Sequence, residues 1–303
     1  MSVAVTGGNG FLGGHVLAAL QRRGYDHVAL IRSRAADAAI APERQHIVDF
    51  SNPDSLRQSL RGVTMLLHLA GRVNGRVDDL RDANPNLMRK LVEASVAGGV
   101  KKIVYVSSAA AAFRHGPYGQ SKWEAEEILK SSGIGYLIFR PTLMYGSRDN
   151  KNVATMEKVI HWLPVIPLLG NGASLIQPVY VEDVVAVLVQ SLQTDLAHRV
   201  YALAGPAQIS LKEMLLALAD AMGKRPVMLP IPLEPLQVCV RAWATLFPRT
   251  RLPVKQILEM NQHRAFDIGP AQKDFDFSPR PFREGVRAMR SSETSGKTKP
   301  CGV

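Results

Sequence analysis

Short apolar runs alternate with amphipathic segments through the first half of the chain. Most of the runs are continuously apolar, which is typical of strands buried on both faces. Because helical segments separate the runs, we expect a parallel sheet covered by helices on both faces, the doubly wound, Rossmann-type α/β fold. The six predicted strands are SVAVT (2–6), HVALI (27–31), RQHIVDF (44–50), VTMLLHLAG (63–71), KKIVYVSS (101–108) and IGYLIFRPT (134–142).

The second half keeps this rhythm less strictly. VYVEDVVAVLVQSL and RVYALAG (199–205) continue the strand and helix pattern, and Ser210 with Glu213 forms a capping box before a further helix. A proline-rich apolar segment runs from Pro226 to Pro248 and suggests the wall of a substrate pocket. The predicted domains are a dinucleotide-binding domain (1–165, with 176–205 returning to it), a smaller, discontinuous substrate-binding region (166–175 and 206–288) and a disordered tail (289–303).

Composition narrows the class of protein. The 303 residues are 46% hydrophobic and 21% charged, which suits one large globular domain or two closely packed ones. Cys239 and Cys301 show neither a disulfide framework nor metal-ligand spacing, so no metal is expected. We find no signal-peptide pattern and no apolar run long enough to span a membrane, and therefore expect a cytoplasmic protein.

The chain carries a net charge of +11. Its basic residues are scattered and few aromatic residues lie among them, so we expect an anionic small molecule as ligand and no nucleic acid.

A glycine-rich loop follows the first predicted strand. Gly7, Gly10 and Gly13 are spaced GxxGxxG in TGGNGFLG and open a helix, which is the context of a pyrophosphate-binding loop. Missing side chains let the backbone approach the phosphates, and the helix N-terminus offers free N–H groups. The alternative is a purely structural strand–helix turn.

The end of the second strand bears on which dinucleotide is bound. An acidic residue there would hold the ribose of NAD, but Arg32 and Arg34 follow the strand instead, which favours NADP over NAD. Both arginines facing solvent would remove this preference. Asp49, at the end of the third strand, would either contact the adenine amino group or act as a turn residue.

The segment GPYGQSKWEAEE places Tyr118 and Lys122 four residues apart, on one face of a predicted helix. Such a pair also arises by chance, and its meaning depends on the motifs around it. In chain order those motifs are TGGNGFLG (6–13), HLAG (68–71), Asn84, VYVSS (104–108), YGQSK (118–122) and RPTLMYG (140–146).

Taken together, these motifs resemble those of the extended short-chain dehydrogenases/reductases, in the NAD-dependent epimerase/dehydratase group, over residues 2–288. The resemblance implies that Tyr118 is the general acid/base, that Lys122 lowers the pKa of Tyr118 and holds the cofactor ribose, and that Ser108 binds the reacting oxygen. It also implies that Asn84 holds a water, and that the protein is a homodimer. The implied cofactor contacts are Gly7, Gly10, Phe11, Leu12, Gly13, Arg32, Arg34, Asp49, Phe50, Leu69, Ala70, Gly71, Tyr118, Lys122 and Pro141.

Two departures from the family pattern matter. The loop between Ser108 and Tyr118 is short, which leaves Ser107 as an alternative to Ser108. RPTLMYG also differs from the corresponding stretch of typical UDP-galactose 4-epimerases, so the resemblance does not indicate a 4-epimerase specifically.

Three functions remain open at the level of the sequence. The first is an NAD(P)-dependent oxidoreductase or epimerase of a nucleotide sugar, with Arg140, Arg148 and Arg264 as phosphate contacts. The second is a dehydrogenase of a hydrophobic alcohol such as a steroid, terpenoid or lipid, with a peripheral position at a membrane, which the apolar segment 226–248 favours. The third is a non-catalytic NAD(P)-binding subunit.

Overall fold

The computed structural model of the chain describes residues 2–34, 41–114, 116–147, 153–169, 171–232 and 265–296. Its strands, in chain order, are β1 (Ser2–Thr6), β2 (Asp26–Ile31), β3 (Gln45–Ile47), β4 (Met65–His68), β5 (Lys102–Val106), β6 (Gly135–Pro141), β7 (Met144–Tyr145), β8 (Val165–Leu169), β9 (Leu175–Ile176), β10 (Val179–Tyr180), β11 (Arg199–Leu203), β12 (Ile209–Ser210) and β13 (Val227–Ile231).

The helices of the described residues are α1 (Phe11–Arg22), α2 (Pro53–Ser59), α3 (Val77–Arg81), α4 (Leu87–Gly98), α5 (Ala109–Phe113), α6 (Gly116–Lys130), α7 (Val153–Trp162), α8 (Val181–Gln190), α9 (Leu211–Ala221), α10 (Gly269–Phe275) and α11 (Phe282–Gly296). A short 3₁₀ turn covers Pro42–Arg44, and a π-helical turn covers Asp82–Asn86. None of these helices is long and apolar enough to cross a membrane.

Seven strands form one parallel sheet in the order β11-β6-β5-β4-β1-β2-β3. All six strands predicted in the first half of the chain belong to it, and RVYALAG supplies the seventh, so the predicted Rossmann-type fold is confirmed. The chain moves outward from β1 in one direction through β2 and β3, and in the other through β4, β5 and β6. Ligands of such sheets bind at the carboxyl ends of the strands where the order reverses, which here is between β1 and β4.

The described residues form two compact units. One lies within Met1–Thr142, Val181–Ala204 and Asp267–Ser278, and the other within Leu143–Tyr180, Gly205–Phe266 and Pro279–Val303. The chain leaves the first unit after β6, and not near residue 165, because β7 pairs with β10 and takes no part in the large sheet.

The segment Asp267–Ser278 was not expected in the first unit. The ring of Phe275 packs against Phe139 and Tyr201, with centroid distances of 5.6 and 5.0 Å. The Tyr201 hydroxyl also donates a hydrogen bond to Asp274 at 2.6 Å. These contacts fix α10 on the last strand of the sheet.

The second unit has its own apolar core, to which α7, β8, α9 and α11 contribute buried side chains. The predicted capping box of α9 is present, since the Ser210 hydroxyl accepts from the Glu213 N–H at 3.1 Å and the Glu213 carboxylate accepts from the Ser210 N–H at 2.7 Å. The helix α11 continues to Gly296. The expectation of a disordered tail from residue 289 is therefore wrong for residues 289–296.

The helical pattern of the sequence over residues 79–99 is interrupted in the structure. Pro85 lacks an N–H and cannot make the usual hydrogen bond, so the chain widens into a π-helical turn at Asp82–Asn86 before α4 begins. This turn carries Asn84, which is almost fully buried.

Candidate active site

The glycine loop between β1 and α1 is closed tightly on itself. Gly10 donates a backbone hydrogen bond to Gly7 at 3.0 Å. Gly7 has a positive φ of 76°, and a Cβ on it would lie 2.6 Å from the Ala70 nitrogen. A Cβ on Gly13 would lie 2.1 Å from the Gly7 carbonyl oxygen. The loop therefore has no room for side chains at these two positions.

A cavity of about 360 Å³ lies over this loop. It is lined by Gly7–Gly10, by Leu30–Ser33 at the end of β2, by Phe50, by Leu69–Gly71 after β4, and by Leu87. The first turn of α1 contains no acidic residue and Gly10 makes no side-chain cap, so neither this turn nor its cap residue supplies a carboxylate to the N-terminal amides. A bare backbone, a helix N-terminus and a cavity at the point where the strand order reverses fit the pyrophosphate of a dinucleotide.

Eight of the fifteen predicted cofactor residues do not line this cavity: Phe11, Leu12, Gly13, Arg34, Asp49, Tyr118, Lys122 and Pro141. Leu12 is buried in the core, Phe11 packs edge-on against His15 at 5.5 Å, and Gly13 serves the close packing of the loop. Pro141 is buried at the end of β6.

A larger cavity of about 950 Å³ adjoins the first, since both share Arg32, Phe50, Gly71 and Leu87. Its charged lining residues are Arg32, Arg72 and Lys90 on the basic side and Asp49, Asp79 and Asp82 on the acidic side. Arg72 lies 3.7 Å from Asp79. Arg32 and Arg34 are both exposed, but only Arg32 lines the cavities, and it has no such partner among the described residues.

Asp49 serves as a turn residue in this cavity wall. Its carboxylate accepts hydrogen bonds from the N–H and the hydroxyl of Ser51, at 2.8 and 2.6 Å. These bonds hold the pKa of Asp49 below its usual value. The carboxylate is fully exposed, so it stays charged at the cavity rim.

Tyr118 and Ser108 meet at the carboxyl end of β5. The Ser108 hydroxyl caps α5 by accepting from the Ala110 N–H at 3.2 Å, and it lies close enough to the Tyr118 hydroxyl to influence the pKa of that phenol. Burial raises the pKa of Tyr118, and the neighbouring Ser108 hydroxyl partly offsets this effect. The direction is opposite to the lowered pKa that the sequence led us to expect.

The side chain of Ser107 lies on the opposite face of the chain from that of Ser108. Its hydroxyl donates to the buried carboxylate of Glu126 at 2.5 Å. The two serines thus lie on opposite faces, as successive strand residues do. Of the two alternatives, Ser108 is the one beside Tyr118.

Lys122 lies one turn beyond Tyr118 on α6 and is almost fully buried. Its Nζ donates to the Val106 carbonyl at 3.0 Å and lies 4.5 Å from the centre of the Tyr105 ring. Burial lowers the pKa of Lys122 to about 7, and the negative charge of Glu126 acts in the opposite direction. Because Lys122 is only partly charged near neutrality, it favours the phenolate of Tyr118 less than a full ammonium would.

Asn84 joins the loop after β4 to helix α6. Its Nδ2 donates to the Arg72 carbonyl at 3.2 Å and to the Ser121 hydroxyl at 2.9 Å, while its Oδ1 accepts from the Arg72 N–H at 3.2 Å. Ser121 in turn donates to the Tyr118 carbonyl at 2.9 Å. A Cβ on Gly71 would lie 2.9 Å from this Oδ1 and 3.3 Å from the Lys122 Nζ, so both polar groups converge on one wall of the cavity.

Glu126 was not singled out from the sequence, yet it is the centre of a buried polar cluster. Its carboxylate accepts hydrogen bonds from the Ser107 hydroxyl at 2.5 Å and from Arg140, through Nε at 2.9 Å and Nη2 at 2.5 Å. Lys130 lies 3.8 Å away. The only sequence signal was an acidic residue one helical turn after Lys122.

This cluster bears on the expected phosphate contacts. Arg140 is bound by Glu126 in a two-point ion pair, and its side chain is 21% exposed. Arg148 and Arg264 lie outside the described residues. The predicted phosphate site thus has one described member, whose guanidinium is already neutralised within the chain.

His68, in the HLAG motif, is a second residue that the sequence did not single out. Its Nδ1 lies 2.6 Å from the Thr6 hydroxyl, its ring stacks on Tyr105 at 5.2 Å, and its Nε2 has no partner among the described residues. Burial and the nearby charge of Lys122 lower the pKa of His68 to about 3. His68 is therefore a neutral imidazole at physiological pH.

The fold and this constellation define a class, the nicotinamide-dependent oxidoreductases built on a Rossmann-type sheet. The family model described as "NAD dependent epimerase/dehydratase family" matches residues 3–204, and the chain belongs to that family. The protein is therefore an NAD-dependent enzyme of the short-chain dehydrogenase/reductase type. The cofactor prediction is confirmed at this level.

Individual proteins are similar to the chain at sequence identities of 18% to 26%. It is 26% identical to the ceramide reductase of Caulobacter vibrioides, over 94% of this chain and 88% of that protein. It is 25% identical to the UDP-glucose 4-epimerase of Vibrio cholerae, over 82% and 83% of the two chains. The solved UDP-glucose 4-epimerase of Thermotoga maritima, in a structure with UDP-glucose, has a TM-score of 0.76 at 18% identity over 98% and 99% of the chains, a similarity of fold.

Proposed function

We propose that the protein reduces an oxo group on a long-chain hydrophobic substrate to a secondary alcohol, or catalyses the reverse oxidation. The observation that carries the substrate class is the state of Arg140. A nucleotide sugar needs cations for its diphosphate, and this guanidinium already binds Glu126. The likeness to a ceramide reductase over nearly the whole chain, and the apolar segment from Pro226 to Pro248, support the same class.

Tyr118 would be the proton donor to the substrate oxygen. Because its pKa is raised by burial, Tyr118 keeps its proton at neutral pH, which is the form that reduction requires. Ser108, the serine beside the Tyr118 hydroxyl, would hold the carbonyl oxygen within reach of that proton. When bound in its reduced form, the nicotinamide dinucleotide supplies the hydride that the carbonyl carbon gains.

Lys122 would act on the phenolate that Tyr118 becomes after proton donation. With a pKa of about 7, the ammonium form is readily available as the phenolate appears beside it. Asn84, which ties the Arg72 loop to α6 through Ser121, would keep Tyr118 in place and offer its remaining Oδ1 lone pair to a water. The residues that would hold the cofactor are those of the glycine loop, Arg32 and Leu69–Gly71.

The test is a direct assay of the purified full chain. With NADPH or NADH, a long-chain 3-oxo amide lipid in detergent micelles should be reduced, followed by loss of the reduced cofactor. Tyr118→Phe should lower kcat by about 10²- to 10⁴-fold. Tyr136→Phe, a half-buried tyrosine elsewhere in the same unit, is the matched control and should retain activity.

The second candidate is an epimerase of a nucleotide sugar, which the relationship to the UDP-glucose 4-epimerase of Vibrio cholerae favours. Incubation with UDP-glucose and separation of the sugar products would detect it. Epimerisation without any reduction of lipid ketones would overturn the first proposal in favour of this one. Activity in neither assay, with Tyr118→Phe indistinguishable from the wild type in binding NAD(P), would favour the non-catalytic subunit.

The remaining expectations also stay proposals. NADP is favoured over NAD because Arg32 lines both cavities without a partner among the described residues. A homodimer would be measured by light scattering. A cytoplasmic protein at the periphery of a membrane suits a lipid substrate, and cell fractionation would locate it.

A further inference from the structure

The second unit exposes a group of large apolar side chains that the proposed chemistry does not use. We call it the apolar strip; its members and their exposed fractions are Trp162 (77%), Leu163 (44%), Val165 (42%), Val227 (63%) and Leu229 (53%). Single exposed apolar residues are ordinary, but a contiguous group marks a surface with a partner.

The geometry of β8 and β13 explains why these residues lie side by side. The two strands are parallel, with Val165 opposite Val227. Side chains alternate along a strand, so Ile166 and Leu168 enter the core, at 3% and 2% exposure, while Val165 lies on the outer face. Pro167, opposite Leu229, continues that face.

The end of α7 extends the strip. Trp162 is the last residue of this helix, and Leu163 and Pro164 lead directly into β8. The Val227 N–H donates to the Pro164 carbonyl at 2.9 Å, so the start of β13 is fastened to this connection. The exposed tryptophan is thus joined through two residues to the outer faces of the paired strands within the second unit.

Cations border this surface. Lys158 lies one helical turn before Trp162 on α7, and Lys224 and Arg225 immediately precede β13; all three are exposed. None of them forms an ion pair with a described carboxylate. The nearest acidic residues in sequence are already paired, Glu157 with Arg290 at 3.4 Å and Asp220 with Arg283 at 3.3 Å.

We infer that the apolar strip is a docking face for an anionic lipid bilayer. An exposed tryptophan beside aliphatic side chains suits the region between lipid headgroups and acyl chains. Lysine and arginine at its border, without an ionic partner among the described residues, suit anionic headgroups. The stretches 158–168 and 223–232, which contribute the described residues of this face, contain no acidic residue.

The inference does not depend on which substrate the enzyme takes. Binding to a bilayer is measured without turnover of a substrate. The protein can therefore bind a bilayer without reducing lipid ketones, and it can reduce lipid ketones without binding a bilayer. If both hold, the docking face would place the second unit against the layer in which a lipid substrate resides.

The test uses the full chain and sedimentation with vesicles of neutral phosphatidylcholine, alone or with about one third phosphatidylserine. The wild type should sediment with the anionic vesicles, much less with the neutral ones, and less as salt is raised. Trp162→Ala and Leu229→Ser should each lower the partition coefficient about tenfold or more, since each removes a large apolar contact. Val96→Ser is the matched control, because Val96 is similarly exposed (61%) on α4 of the other unit.

The charged border is tested in the same way. Lys224→Gln and Arg225→Gln should each lower binding to anionic vesicles about fivefold at low salt, with no effect on neutral ones. Lys101→Gln, an exposed lysine of the first unit, should change nothing. Equal binding by the Trp162→Ala and Val96→Ser proteins would overturn the inference, as would no binding to either vesicle. A wild-type dimer that Trp162→Ala converts into a monomer, without vesicle binding, would overturn it in favour of a contact between two copies of the chain.

Discussion

Replacing Glu126 by glutamine tests whether the buried cluster under the active site sets both stability and pH dependence. Glutamine keeps the shape of the side chain but removes its charge. Arg140, 21% exposed, then loses its ionic partner inside the protein. Breaking a buried ion pair by removing one member costs about 3–5 kcal/mol, and the partial exposure of Arg140 favours the lower end, about 3 kcal/mol. At roughly 2 °C per kcal/mol for a protein of this size, Tm should fall by about 6 °C.

The same substitution should move the pH profile in a predictable direction. Glu126 opposes the effect of burial on Lys122, so its loss should lower the pKa of Lys122 further below 7. If catalysis needs the ammonium form, activity is lost as pH rises through this pKa. The falling limb of kcat/KM should therefore shift to lower pH, by about one pH unit or more.

Glu127→Gln is the matched control on the same helix. Glu127 is 46% exposed and pairs with Lys130 at 2.8 Å, a surface pair whose loss costs about 0–1 kcal/mol. Thermal unfolding and the kcat/KM profile between pH 5.5 and 9 would be recorded for both variants. The reasoning is refuted if the Glu126 and Glu127 variants unfold at the same temperature, or if the falling limb of the Glu126→Gln enzyme stays in place or moves to higher pH.

Three further predictions concern the cofactor site and the lysine. Arg32→Ala should raise KM for NADPH about 10-fold or more, since it removes a charged contact worth about 1.5–3 kcal/mol, and should leave KM for NADH nearly unchanged. Arg34→Ala should change neither KM value. Equal effects of Arg32→Ala on both cofactors would contradict a contact with the 2′-phosphate. Gly13→Ala should abolish cofactor binding in a dye-displacement assay or prevent folding, because its Cβ would lie 2.1 Å from the Gly7 oxygen, and a variant that binds normally would show that this turn yields easily. Lys122→Met should inactivate the enzyme yet stabilise the fold, because a pKa lowered from 10.5 to about 7 corresponds to a cost to folding of about 5 kcal/mol. This cost is present in full below pH 7 and vanishes above pH 10.5, so the Tm of the variant should exceed that of the wild type at pH 6 by a margin that shrinks as pH rises. A gain in Tm that does not depend on pH would contradict the burial argument.

The sheet was predictable because most of its strands are local apolar runs, and a parallel order follows from the helices between them. The pairing of Ser108 with Tyr118 could not be decided from the sequence, since Ser107 and Ser108 are adjacent and only the placement of the strand shows which one faces the tyrosine. The role of Glu126 was equally hidden. Its partner Arg140 lies fourteen positions away on β6, and local patterns carry no information about such a contact.

The boundary between the units was placed too late for a related reason. RPTLMYG was treated as one motif, but the large sheet ends at Pro141 and Met144–Tyr145 pairs with Val179–Tyr180. Burial of Tyr118 raises its pKa, whereas a lowered value was expected from the neighbouring lysine, because the sequence shows the spacing of the pair but not how little water reaches it.

Pro85, through the π-helical turn at Asp82–Asn86, determines which way the side chain of Asn84 faces around the helix axis. A wide turn takes in one residue more than an ordinary α-turn, and one residue corresponds to a rotation of about 100° around the helix axis. If alanine replaced Pro85, the missing N–H would return and an unbroken helix would be available to this segment. Asn84 would then swing away from Ser121 and from the Arg72 backbone, although no atom of Asn84 itself had been altered. The orientation of the Asn84 side chain thus depends on the proline ring of the next residue.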